Sequence, residues 1–145
     1  MMSDPKPSFS GRRRARRYAL QALYGWGLSQ NPLADVETYT LSEHQHGEVD
    51  SAYFQILLHS IPTQLSILDK LFEPYLSRNL RDLGLIELTI LRIAVYELKE
   101  HTEIPYRVVI NEALELAKTF AAPDSHKFVN GILDKVRKDL RPLES

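Results

Sequence analysis

The stretch from Asp82 to Glu100 sets the terms for the whole chain. Leu83, Ile86, Ile90 and Ile93 form one row at helical spacing, and Leu88, Leu91, Val95 and Leu98 form another. Side chains three or four apart share a helix face, so this helix is apolar on more than one side. Such a helix is central and needs neighbours to cover it. The rest of the sequence supplies them. Ile104-Pro105 marks the start of a helix whose face is Val109, Ala113, Leu116, Ala117 and Phe120. Pro123-Asp124-Ser125 breaks that helix and caps a last one carrying Val129, Ile132, Leu133, Val136 and Leu140.

Upstream, Asp50 caps a helix with Phe54, Leu57, Leu58, Ile61, Leu65, Leu68 and Phe72 in register. Pro62 should kink or restart it, and Glu73-Pro74 ends it. A weaker helix covers about Leu33 to Glu43, closed by a loop at His44-Gln45-His46-Gly47. The first helix, capped by Ser10, runs to about Gln30 and stops before Asn31-Pro32. Ala15, Ala19, Ala22, Leu23 and Trp26 share one of its faces; Arg13, Arg16, Arg17, Leu20 and Tyr24 share an adjoining one. No segment alternates as a strand does. The expectation is an all-α fold, a compact bundle of about seven helices, with residues 1–11 as a flexible arm and 12–145 as a single helical domain.

A hydrophobic content of 43% with 26% charged residues is ordinary for a soluble domain. No apolar run approaches the roughly 18 residues of a membrane span, and no basic start leads into an apolar signal core. Cysteine is absent, which excludes disulfides and thiolate metal sites and suits a reducing compartment. The expected location is the cytoplasm.

The net charge of -1 conceals a polar distribution. Residues 1–17 hold Lys6 and five arginines against Asp4, a net of +5; residues 18–126 hold seven basic and fifteen acidic side chains, a net of -8. Residues 127–145, with five basic and three acidic, add +2. Positive charge gathered at the two ends of an acidic body points to a polyanion site there, and to a separate surface for basic partners.

Arg12, Arg13, Arg14, Arg16 and Arg17 run straight into the first helix. Arginine binds phosphate through paired planar donors and stacks on bases. Tyr24 lies seven residues beyond Arg17 on the same side, roughly 10 Å along the axis. Charge along a backbone with an aromatic for a base is how single-stranded nucleic acid is bound. The plain alternative is a solvated helix start whose arginines pair with the acidic body. Arginines so near a positive helix end call for an external anion. A second candidate is the start of the last helix, where Asp124, Ser125, Lys127, Phe128 and Asn130 surround free backbone N–H groups. There the plain alternative is capping by Asp124 or Ser125, with Phe128 in the core.

Other residues argue against catalysis and metal binding. The five histidines include His44-x-His46, which lacks a third ligand nearby. The chain has no phosphate-cradling glycine loop and no nucleophile motif. Glu112 and Glu115 fall at helical surface spacing, with Glu112 in an otherwise apolar turn that would make it structural. No enzyme, cofactor or metal site is expected.

The pieces in order resemble the NusB family of transcription antitermination factors. The matching stretches begin with Arg13-Arg14-Ala15-Arg16, Ala19-Leu20-Gln21-Ala22-Leu23-Tyr24 and Leu91-Arg92-Ile93-Ala94-Val95-Tyr96-Glu97-Leu98. They continue with Ile104-Pro105, Ile110-Asn111-Glu112-Ala113, Leu116-Ala117-Lys118 and Lys127-Phe128-Val129-Asn130-Gly131. The resemblance implies two three-helix-bundle halves. It also implies binding of boxA RNA from ribosomal RNA leaders together with NusE, a small-subunit ribosomal protein, so that RNA polymerase reads through terminators. By position it implies a first RNA surface of Arg12, Arg13, Arg14, Arg16 and Tyr24, which Arg17 would strengthen. A second RNA surface beside it would hold Asp124, Lys127, Phe128 and Asn130, and a NusE surface would hold Tyr75, Arg78 and Glu87. Family members include monomers and dimers, so a homodimer is among the expected partners.

Two other readings compete. The NusB-like leader of an RNA cytosine methyltransferase would need a further catalytic domain, and this chain is expected to end at Ser145 without one. A helical adaptor that binds only protein would leave the arginine run unexplained.

Overall fold

Seven α-helices and three short 3-10 segments make up the described residues, 8–43 and 48–145, in a computed structural model. The helices are α1 (Phe9–Ser29), α2 (Leu33–Glu43), α3 (Ser51–Ser60), α4 (Leu65–Phe72), α5 (Leu85–Glu100), α6 (Tyr106–Phe120) and α7 (Ser125–Leu140). They form two compact units that divide between Ser60 and Ile61. The proposed loop at 44–47 lies outside the described residues, as do residues 1–7 of the expected arm.

The first unit holds α1, α2 and α3, with α1 packed on both of the others. Ala15, Ala19, Ala22 and Leu23 are buried, and so are Arg16 and Leu20, so the covered face of α1 is wider than the apolar pattern implied. Ser8, not Ser10, is the cap of this helix. Ser8 has extended backbone (φ -83°, ψ 148°) and its Oγ accepts from the Gly11 N–H at 2.9 Å, while Ser10 lies inside the first turn. The far end closes through Gln30, which is left-handed at φ 58° and donates its N–H to the Trp26 carbonyl. Asp50 caps α3 as its position implied, with Oδ1 accepting from the Tyr53 N–H at 3.0 Å. Glu37 of α2 is paired with His59 of α3 at 2.8 Å.

Pro62 restarts the chain rather than bending one helix. Ile61–Gln64 is a 3-10 segment, and α4 begins after it. The second unit therefore has four helices, α4 to α7. Helix α5 is its centre and packs on α4, α6 and α7, with Ile90, Leu91, Ile93, Val95 and Leu98 buried. Arg92 of α5 makes a two-pronged contact with Asp69 of α4, each bond 2.8 Å.

The end of α5 is held by a residue far along the chain. Arg141, only 6% exposed, donates from Nε to the Leu98 carbonyl (3.0 Å) and from Nη1 to the Ile104 carbonyl (2.6 Å). Its Nη2 donates to the carbonyls of Glu97 (3.2 Å) and His101 (3.0 Å). The last carbonyls of a helix lack partners inside it; here one guanidinium serves Leu98, shares Glu97 with the His101 N–H, and reaches two carbonyls of the loop that follows. Glu144 completes the arrangement, accepting from Arg141 Nη1 at 2.7 Å and from the Tyr106 N–H at the start of α6, also at 2.7 Å. These bonds hold the Glu144 carboxyl below its ordinary range, the Tyr106 N–H first and Arg141 second.

Candidate nucleic-acid interface

Because α1 starts at Phe9, the arginines begin one turn inside the helix rather than at its tip. The helix dipole is felt mainly within the first turn. The repulsion expected from placing them at a positive end is therefore mostly absent. Their surroundings separate them into two sets.

Arg12, half-buried, and Arg16, buried, are both drawn to Tyr53. Arg16 is 2% exposed, and its guanidinium lies 5.5 Å from the centre of the Tyr53 ring. Arg12 lies 4.5 Å from the same centre, and its Nε is 3.6 Å from Asp50 Oδ2. Arg16 thus presents little surface to a ligand. The other three face outward to different degrees. Arg17 is exposed. Arg13 is half-buried with its guanidinium 4.9 Å from the Phe9 ring centre. Arg14, also half-buried, donates from Nη1 to the Glu48 carbonyl at 3.0 Å. Tyr24 is half-buried further along the same helix.

In the second unit, Lys127, Asn130 and Asp124 are exposed and Phe128 is half-buried. Asp124 occupies the cap position of α7 but is left-handed (φ 72°) and its side chain caps nothing. Left-handed backbone directs the carboxylate away from the amides of the first turn, and it pairs instead with Lys127 at 3.4 Å. Phe128 is not a core residue: the Arg78 guanidinium covers its ring at 5.6 Å. The structure thus brings Arg78, expected on the protein-partner surface, onto Phe128, expected on the RNA surface. Tyr75 donates its hydroxyl to Asp139, a bond that raises the phenol above its ordinary range. Lys135 lies 5.8 Å from the Tyr75 ring centre. Glu87 is half-buried in the first turn of α5, where its charge suits the helix end. Glu112 is buried and partnered, a structural residue.

Three residues of the α1 surroundings were not singled out as site residues from sequence: Tyr53, Glu48 and, beyond its capping role, Asp50. No local signal marks them, because their connection to the arginines is made across α1 and α3. Among the described residues no group of acidic or histidine side chains could hold a metal. No described helix is long and apolar enough to cross a membrane.

Comparison with known proteins agrees on one family. The model of the NusB family matches residues 13–138. The transcription antitermination protein NusB of Escherichia coli is 55% identical over 133 residues, covering 92% of this chain and 96% of that one. Among solved structures, NusB of T. maritima superposes with a TM-score of 0.78 at 32% identity, over 95% of this chain and 94% of that one. A crystal structure of antitermination factors NusB and NusE in complex with double-stranded RNA gives 0.82 at 26% identity, over 91% and 99%.

Proposed function

The chain belongs to the NusB family, and from that premise we propose that it is a non-enzymatic RNA-binding antitermination factor. It binds boxA RNA of ribosomal RNA leaders jointly with NusE and presents both to elongating RNA polymerase in the cytoplasm. The observation that carries this reading is the likeness to NusB in the solved NusB, NusE and RNA complex, which spans 91% of this chain. The side chains are consistent with it. Arg13, Arg14, Arg17 and Tyr24 offer charge and an aromatic along α1, and Lys127, Phe128 and Asn130 offer a second set on α7. Tyr75, Arg78 and Glu87 are assigned to NusE.

Each surface is weak alone. Once RNA and NusE are tied in one assembly, the second contact is made at high local concentration, and affinity rises without new bonds. A homodimer covering the arginines would compete with RNA; sedimentation with and without RNA distinguishes the two.

The test is a titration of the protein with boxA RNA, a scrambled single strand and a duplex, with and without NusE. Preference for boxA, strengthened by NusE, is the expected result. Equal affinity for boxA and scrambled RNA under both conditions would overturn the reading.

A further inference from the structure

Arg12 and Arg16 are one turn apart on α1 and both place a guanidinium over Tyr53, at 4.5 and 5.5 Å from the ring centre. Tyr53 is itself 2% exposed. Two like charges at this helical spacing repel one another, and an aromatic face attracts each of them. Asp50 supports the same corner in three ways. Its N–H donates to the Gly11 carbonyl (3.0 Å), its Oδ1 caps α3 at Tyr53 (3.0 Å), and its Oδ2 stands 3.6 Å from Arg12. The backbone fits closely there: a Cβ on Gly11 would lie 3.3 Å from the Asp50 nitrogen and 2.7 Å from Ser8 Oγ. Two residues before Asp50, the Glu48 carbonyl accepts from Arg14.

Resting on the RNA-binding reading above, we infer that Tyr53 and Asp50 are positioning residues of the α1 RNA surface. They anchor Arg12 and Arg16 against α3. This fixes the rotation of α1 and the direction in which Arg13, Arg14 and Arg17 present their charge. Arg12 and Arg16 act through that anchoring rather than as phosphate ligands. RNA then meets cations that are already ordered, which lowers the cost of binding.

The two sets differ in what they need from a side chain. An anchor stacked on a ring needs the planar guanidinium, whereas a phosphate contact tolerates a lysine ammonium. Tyr53→Leu, Tyr53→Phe, Arg16→Lys and Arg17→Ala, each in the full chain, are titrated with boxA RNA over a range of salt, with thermal unfolding recorded alongside. Arg16→Lys should lower affinity about fivefold, and Tyr53→Leu, which releases both guanidinia, by more than that, each with the salt slope of the parent. Tyr53→Phe should bind within about twofold of the parent, because the aromatic face is kept. Arg17→Ala should reduce the salt slope by about 0.7–0.9, one phosphate contact. If Tyr53→Leu does not fold, Arg16→Lys decides. Folded Tyr53→Leu and Arg16→Lys proteins that bind like a boxA-selective parent would overturn the positioning role and leave the RNA reading standing. A parent without boxA preference overturns both.

Discussion

The guanidinium of Arg78, on the connector after α4, lies 5.6 Å from the centre of the Phe128 ring in the first turn of α7. It covers part of a ring that the core does not enclose. Phe128→Ala should therefore cost less stability than the roughly 3–5 kcal/mol of a core phenylalanine, while still weakening RNA binding. A double-mutant cycle of Arg78→Ala with Phe128→Leu, read by denaturant unfolding, should give a coupling of about 0.5–1 kcal/mol. Additive losses would show that the stack contributes nothing.

Reversing Glu87 to lysine places a cation in the first turn of α5, on the surface proposed for NusE. Affinity for NusE should fall about tenfold, equivalent to about 1.4 kcal/mol. RNA binding by the isolated protein should be unchanged. Calorimetric titrations with each ligand separate the two, and equal losses would mean that the surfaces are not distinct.

Arg141→Ala removes the side-chain donor to the carbonyls of Leu98 and Ile104, and leaves those of Glu97 and His101 with their backbone partners, the His101 and Ile104 N–H groups. A loss of about 3–5 kcal/mol is expected from groups stranded in this way. Arg141→Lys should recover little, since one ammonium cannot span acceptors set out for a planar fork. Urea midpoints of the two variants check this.

Much of this architecture could be read from apolar spacing. The double row on α5 identified the central helix of its unit, and Pro62 and Asn31-Pro32 marked breaks that the backbone makes. Arg141 was illegible because its partners are carbonyls, which have no side-chain signature, and lie 37 to 44 residues away. The burial of Arg16 was illegible for a related reason. Helical phase places it beside the apolar face, and the Tyr53 ring that receives its guanidinium comes from another helix. Ser10 and Asp124 had the right residue type for capping, yet Ser8 has the needed extended backbone and Asp124 is left-handed.

Glu144 gives stability a pH dependence of known sign. Its carboxyl is held below the ordinary carboxylate range by the Tyr106 N–H and by Arg141. The stabilisation is therefore complete above that range and is lost as pH falls through the lowered value of the folded state. Glu144→Gln should flatten this part of the acid limb of a stability–pH profile. An unaltered acid limb would remove Glu144 from the account.

The placement of Arg141 also imposes an order on synthesis. A ribosome delivers α5 first, and the carbonyls at its end must wait until both later helices have been made. During that interval the Leu98 and Ile104 carbonyls must rely on water, while those of Glu97 and His101 already have backbone N–H partners. The nascent second unit is thus left with an unfinished helix end, and its closing bonds form only when residue 141 arrives.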